Sequence, residues 1–190
     1  MEPASSSSWI GWAAGALLLF WGIGAYNRLV RMRADCNAAF AALESLLTRE
    51  VELVNACMPA DEESHPPSQF DGVSAFWSGL HGAAMQFAAS LAAARQKPLE
   101  ADRIAALGAA QEVLEMAWER AERDDAHDLA GPRLPRDITA ERVQVAAQVQ
   151  AAIAKFNEAI ARYNEAIAQF PASLLAWLFG FQAGRGLRAK

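Results

Sequence analysis

Residues 149–170 read VQAAIAKFNEAIARYNEAIAQF. Within them Val149, Ile153, Phe156, Ile160, Tyr163, Ile167 and Phe170 recur at alternating steps of four and three. That is the heptad seam of a helix packed knobs-into-holes against another, as in a coiled coil, within the chain or between chains. KFNEAIA (155–161) runs directly into RYNEAIA (162–168), a tandem seven-residue repeat. Asn157 and Asn164 fall beside the seam. Two roles fit them: hydrogen bonds across the seam that fix its register, or a solvated helix face.

The rest of the chain agrees with a helical reading. Of its 190 residues 53% are hydrophobic, and much of that excess is alanine, which favours helix and close helix packing. No stretch alternates apolar with polar residues, so the class is all-α. The formal net charge is −5 with both signs mixed along the chain, which argues against a nucleic-acid partner, since that role needs a basic patch. Cys36 and Cys57 sit about 31 Å apart if one helix carries both. That is beyond the reach of a disulfide, so both are expected as free, buried thiols.

Trp9 to Tyr26 contains no charged side chain. As helix it covers roughly 27 Å, close to the hydrocarbon thickness of a bilayer. Trp9, Trp12 and Tyr26 stand near its ends, where amphipathic aromatics favour the interface. A cleavable signal peptide carries its positive charge ahead of the apolar run. Here only Glu2 precedes it, and Arg28, Arg31 and Arg33 follow it. The expectation is a single-pass anchor with the N-terminus outside and the remainder cytoplasmic. Gly11, Gly15 and Gly22 share one face of this helix. The G-x-x-x-G pair Gly11–Gly15 suits close approach of a second anchor, and glycine is also simply common in such helices.

Beyond the anchor the apolar residues Leu29, Met32, Cys36, Phe40, Leu43, Leu47, Val51, Val54 and Met58 keep helical spacing, predicting one continuous helix to Pro59. The segment 61–67 reads as an exposed loop. A second helix is predicted over 73–96, where Gly79 and Gly82 allow close packing. Pro98 is placed in the first turn of a third helix that runs to about Asp125. A breaker at 131–135 precedes a fourth helix over 138–170, with Asp137 or Thr139 as its cap. After Pro171 comes ASLLAWLFGF (172–181), apolar but too short to span a bilayer, followed by Arg185, Arg188 and Lys190. Four helices bring Phe170 back to the membrane, where an apolar segment with basic followers suits the interface. Folding of that segment onto the bundle as a lid is the alternative. The expected organisation is an outward stub (1–8), a transmembrane helix (9–26), a cytoplasmic antiparallel four-helix bundle (27–170) and a short apolar, then basic, C-terminal segment (171–190).

Two stretches resemble the LemA family. YNRLVRMR (26–33), with Asn27 as its polar residue, follows the apolar segment and leads to LTREVELVN (47–55), where Arg49, Glu52, Leu53 and Val54 fit the family's pattern. Glu50 stands where a second basic residue is usual, and Asn55 where proline is usual. FNEAIARYNEAIAQFPASLLAWLFGF (156–181), with Asn157 and Asn164 in its paired aromatic-Asn motifs, resembles the family's C-terminal signature. The third helix fits poorly. The resemblance implies a single-pass protein of the bacterial inner membrane with an antiparallel helical bundle, and little about chemistry.

No catalytic constellation stands out. His65, His81 and His127 are scattered, and His81 is spaced for packing between Trp77 and Met85. The acidic loop around Asp61, Glu62 and Glu63 lacks metal-ligand spacing, and neither a nucleophile elbow nor a phosphate loop is present. The charges from Arg120 to Asp128 read as a solvated helix end or a docking surface. No catalytic, cofactor or metal residue is assigned. The expected role is a non-catalytic scaffold or interaction module at the inner face of the membrane, with a homo-oligomer or an unidentified protein as partner. The alternative is an accessory of a membrane sensing or signalling pathway.

Overall fold

The computed structural model describes residues 6–57, 72–127, 134 and 136–188. These form five helices, α1 (Ser6–Cys57), α2 (Gly72–Gln96), α3 (Ala101–His127), α4 (Arg136–Ala168) and α5 (Ala172–Phe179). No strand occurs among the described residues. The expected loop 61–67, the expected loop 131–135 apart from Leu134, residue Met58 and the first five residues of the expected stub lie outside them.

α1 is unbroken, about 78 Å long at the ordinary helical rise, and it lives in two environments. Trp9, Trp12 and Leu17 to Phe20 are bare, with Trp12 and Phe20 each 79% exposed. From Leu29 onward one face is sealed: Leu29, Cys36, Phe40, Leu43, Leu47, Leu53 and Val54 are buried. It is the one described helix long and apolar enough to cross a membrane, by length and composition. It begins at Ser6, three residues before Trp9.

α4 returns along α1 in the opposite direction. The ring of Phe40 meets that of Phe156 at 5.6 Å, Arg49 bonds Glu141 at one end, and Trp21 meets Phe170 at 5.7 Å at the other. Val149, Ile153, Phe156, Ile160 and Tyr163 are buried in this contact and Ile167 is half-buried. The seam therefore faces the chain's own core. Phe170 departs from it: α4 stops at Ala168 and Phe170 is 76% exposed. Pro171 disfavours helical dihedrals in the residue before it, which ends the helix and turns Phe170 away.

α2 packs on α1 and on α3, and one cluster of buried residues draws on α1 to α4. Pro98 lies in the tight turn between α2 and α3, not inside α3 as expected. Lys97 closes that turn by donating to the Ala94 carbonyl at 3.1 Å, and Ile104 donates to Glu100, so α3 starts only after Glu100. α4 begins at Arg136, which puts Asp137 in its first turn rather than at its cap, and Thr139 inside the helix. The close packing expected of Gly79 and Gly82 is also not found, since a side-chain carbon at either would meet nothing within 4 Å.

α3 and α4 are tied by Arg142, whose side chain is only 14% exposed. It donates to Glu122 at 2.7 Å and to Glu115 at 3.2 Å, with its guanidinium 5.0 Å from the centre of the Trp118 ring. A partly desolvated arginine needs such partners, because burial removes its hydration. Glu50, the departure from the family pattern, is buried beside this group.

Both cysteines are buried and free. Burial, and then the nearby Asp137 charge, push the Cys57 thiol up to about 11. Burial, with Asp35 adding to it, raises Cys36 in the same direction.

Two outcomes follow from the packing. Phe156→Ala removes a fully buried ring and should cost about 3–5 kcal/mol in denaturant unfolding, whereas Phe170→Ala should change stability by less than about 0.5 kcal/mol in detergent. The raised Cys57 pKa favours the neutral thiol in the folded state, so its stabilisation is complete below the unfolded value near 9 and lost as pH climbs through about 11. A Cys57→Ala chain should show a shallower fall of Tm between those pH values than the parent; parallel curves would contradict the assignment.

Candidate functional site

The residues singled out by sequence are not gathered in one place. Gly11, Gly15 and Gly22 lie on the bare part of α1, and a side-chain carbon at any of them would meet nothing within 4 Å. Asn27 is exposed at the base of that segment. Arg49 is about 33 Å further along α1 at the helical rise. Its guanidinium is held by Glu52 at 2.9 Å and by Glu141, which raise its pKa. Asn157 and Asn164 stand on the half-buried flank of α4.

The two asparagines do something neither expected role described. Each clamps the backbone of the C-terminal tail with both ends of its amide. The Asn164 Nδ2 donates to the Gly184 carbonyl at 2.8 Å, and its Oδ1 accepts from the Gly184 N–H at 2.9 Å. The Asn157 Nδ2 donates to the Leu187 carbonyl at 2.7 Å, and its Oδ1 accepts from the Leu187 N–H at 2.9 Å. Seven residues of α4 rise about 10.5 Å. Three residues of extended chain span about 9–10 Å. The tandem repeat therefore matches a three-residue step of a tail that runs antiparallel to α4.

Glycine makes the approach possible. A side-chain carbon at Gly184 would fall 2.9 Å from Ile160 Cδ1 and 3.2 Å from Leu99 Cδ2, and one at Gly186 would overlap the Asn157 amide. Leu187 is buried, and its Cδ2 would sit 3.5 Å from a side-chain carbon at Gly108. The tail thus wedges between α3 and α4. Arg188 reaches Glu112 of α3 at 3.9 Å. The described part of the expected C-terminal segment, 171–188, is accordingly two parts: α5, then a strap laid along α4. The strap draws Arg185 and Arg188 away from the α5 end of the molecule, where the basic followers were expected to stay.

The strap holds α5 in position. Gly180 adopts left-handed dihedrals (φ 69°), and the Phe181 N–H closes the helix on the Ala176 carbonyl at 2.9 Å. Phe179 and Phe181 flank Tyr26 at 5.0 and 6.1 Å between ring centres, and Arg33 lies 5.9 Å from the Phe181 ring centre. α5 buries only Ala176. Leu174, Trp177, Leu178 and Phe179 are exposed, Trp177 by 81%. The spacing of Leu174, Trp177 and Leu178 puts these three on one face, while Phe179 turns toward Tyr26 of α1.

Two cavities open at this end. One, of about 360 Å³, lies between α1, the end of α4 and the start of α5 and is mostly apolar. The other, of about 430 Å³, is bounded by Arg33, Asn37, Tyr163, Phe181 and the α2–α3 turn. Burial raises the Tyr163 pKa, with the Arg33 charge opposing it. In the same turn, a hydrogen bond from Arg103 lowers the Glu100 pKa. Among the described residues no group of three or more histidine, cysteine or acidic side chains gathers to hold a metal.

Asn157→Asp with Asn164→Asp tests the clamp. A carboxylate still accepts from the tail N–H groups but cannot donate to the carbonyls, a loss of about 1–3 kcal/mol at each site. The double variant should be cut by trypsin at Arg185 and Arg188 at least about tenfold faster than the parent. Equal cleavage rates would show that the clamp does not hold the tail.

A search of curated proteins and a search of solved structures return no match. The LemA family model matches residues 81–189, from the middle of α2 through α3, α4, α5 and the strap. The match takes in the third helix, where the resemblance was weak, and excludes both N-terminal stretches, 26–33 and 47–55. It covers the clamp, the α5 face and the glycines of the tail, and the chain belongs to the LemA family.

Proposed function

We propose that the chain is a single-pass, membrane-anchored scaffold of the bacterial inner membrane. The segment 9–26 of α1 spans the bilayer with the N-terminus outside. α1 to α4 form an antiparallel four-helix bundle on the cytoplasmic side, and α5 rests in the interface beside the anchor. The carrying observation is the apolar face of α5. Leu174, Trp177, Leu178 and Phe179 are bare, and Tyr26 sets them against the foot of the bare segment of α1. Together they form one apolar surface at one end of the molecule, larger than scattered exposed side chains and suited to lipid.

The role is non-catalytic on this reading. The α3–α4 ion pairs and the Asn clamps join protein to protein, and the chain supplies a rigid body fixed to the membrane at two places. The seam residues Val149, Ile153, Phe156, Ile160 and Tyr163 are used inside the chain. Contacts between copies then fall to the Gly11, Gly15 and Gly22 face of the anchor, where nothing occupies the space beside the helix.

Trp177 reports on the α5 placement. In vesicles of lipids brominated at the top of the acyl chain, the emission lost on Trp177→Phe should be strongly quenched emission. If the lost component is unquenched, the α5 face lies in water and the interfacial placement fails.

A further inference from the structure

We propose that the cleft where α5 leaves α4 binds one anionic phospholipid, its phosphate on Arg28 and the upper part of one acyl chain against α1. This rests on the membrane placement proposed above. The cleft, of about 360 Å³, has apolar walls from Phe20, Trp21, Leu29 and Phe170, and Arg28 is its one cation. Its volume falls in the range of sites that enclose a small ligand. Gly24 leaves the floor open, since a side-chain carbon there would meet nothing within 4 Å.

Arg28 supplies the positive charge of the cleft. Arg49, Arg95, Arg103, Arg142, Arg162 and Arg188 all have carboxylate partners. Arg28, like Arg31 and Arg185, has neither an ion pair nor a hydrogen bond among the described residues, and of these three it is the one that lines the apolar crevice. A guanidinium beside low-dielectric walls favours an anion with several acceptor oxygens.

The order of the lining matches an amphiphile. Phe20 and Trp21 lie toward the middle of the anchor, and Arg28 lies about 12 Å nearer the cytoplasmic domain along α1. A phospholipid of the inner leaflet has the same polarity, acyl chain toward the anchor and phosphate at the surface. Arg31, one turn further, adds positive charge on that side. It favours an anionic headgroup over one whose phosphate is followed by a cation. The nearest carboxylate along α4, Glu165, is bonded to the Gln169 side chain at 3.2 Å and does not line the cleft. The neighbouring cavity of about 430 Å³ offers no such group. Its Arg33 lies over Phe181 and its Lys97 faces Glu100 at 3.6 Å.

The test uses the full chain in mild detergent, with native mass spectrometry of retained lipid. The probes are phosphatidylglycerol and phosphatidylcholine with identical acyl chains, and soluble glycerol phosphate as competitor. The parent should retain one phosphatidylglycerol in preference to phosphatidylcholine. Arg28→Gln should lower that retention about tenfold, the loss of one charge-assisted contact, while Arg31→Gln, outside the lining, should leave most of it. Gly24→Leu, which fills the floor, should lower retention of both lipids. Unchanged helical content and Tm in Arg28→Gln, an exposed position, keep folding out of the comparison. Equal effects of Arg28→Gln and Arg31→Gln would reduce the site to general surface charge and overturn the proposal. So would displacement by glycerol phosphate alone, which would leave no role for the acyl chain. Trp177 quenching scores the membrane placement separately. A quenched Trp177 without phosphatidylglycerol preference defeats this inference alone.

Discussion

The constraint on which the structure depends is that α1 cannot bury its whole length. Its first part is apolar and largely exposed, meeting only the end of α4 and the α5 region, through Trp21 and Tyr26, among the described residues, while the part after Leu29 presents one stripe. α4 answers that stripe with the heptad seam, and the Phe40–Phe156 contact lies near the middle of the match. With the α1–α4 pair fixed, α2 and α3 have one remaining apolar face to cover. The direction of α4 then decides where the chain ends up: beside the bare part of α1, at Trp21 and Tyr26.

What was legible in the sequence is what hydrophobic periodicity carries. The continuous α1 and the burial of Val149 to Tyr163 follow from apolar spacing, because burial of a stripe is a property of one helix read alone. Phe170 obeyed the spacing and still fell outside, since the proline after it acts on the backbone and not on the pattern. Pro98 was misplaced for a related reason: proline suits a turn as well as a first helical turn, and the hydrogen bond of Lys97 to Ala94 chose between them. Glu50 was visible only as a departure from a family pattern. Its burial depends on α3 and on Arg142, ninety-two positions later, which no local window contains.

The Asn clamps were the largest omission, and the physical reason is specific. They join side-chain amides to backbone groups, so nothing in the tail's side chains announces them except two glycines. The signal lay in matched lengths. A seven-residue repeat on a helix and a three-residue step of extended chain cover nearly the same distance. A tail with glycines at 184 and 186, following a helix that carries Asn at 157 and 164, fits such a ladder without a side chain in the way. Backbone-directed bonds of this kind fix position while leaving the tail sequence largely free, Gly184 and Gly186 excepted.

The strap also explains how a helix as short as α5 can hold an apolar face in the open. Eight residues are too few to be stable alone in water, and α5 buries one alanine. Its position is imposed from both ends: Pro171 follows only two residues after α4, and the chain after Gly180 is pinned to α4 by four hydrogen bonds. Exposing Leu174, Trp177, Leu178 and Phe179 to water opposes that arrangement, and covering them relieves it. A rigid clamp that presents an otherwise unfavourable surface beside an apolar helix is what the proposed interfacial placement requires. The same two end-points fix the walls of the Arg28 cleft, because Phe170 and Ala172 belong to the junction that Pro171 and the strap hold in place. The strap, α5 and the cleft are therefore one device, and loosening the clamp should disturb all three together.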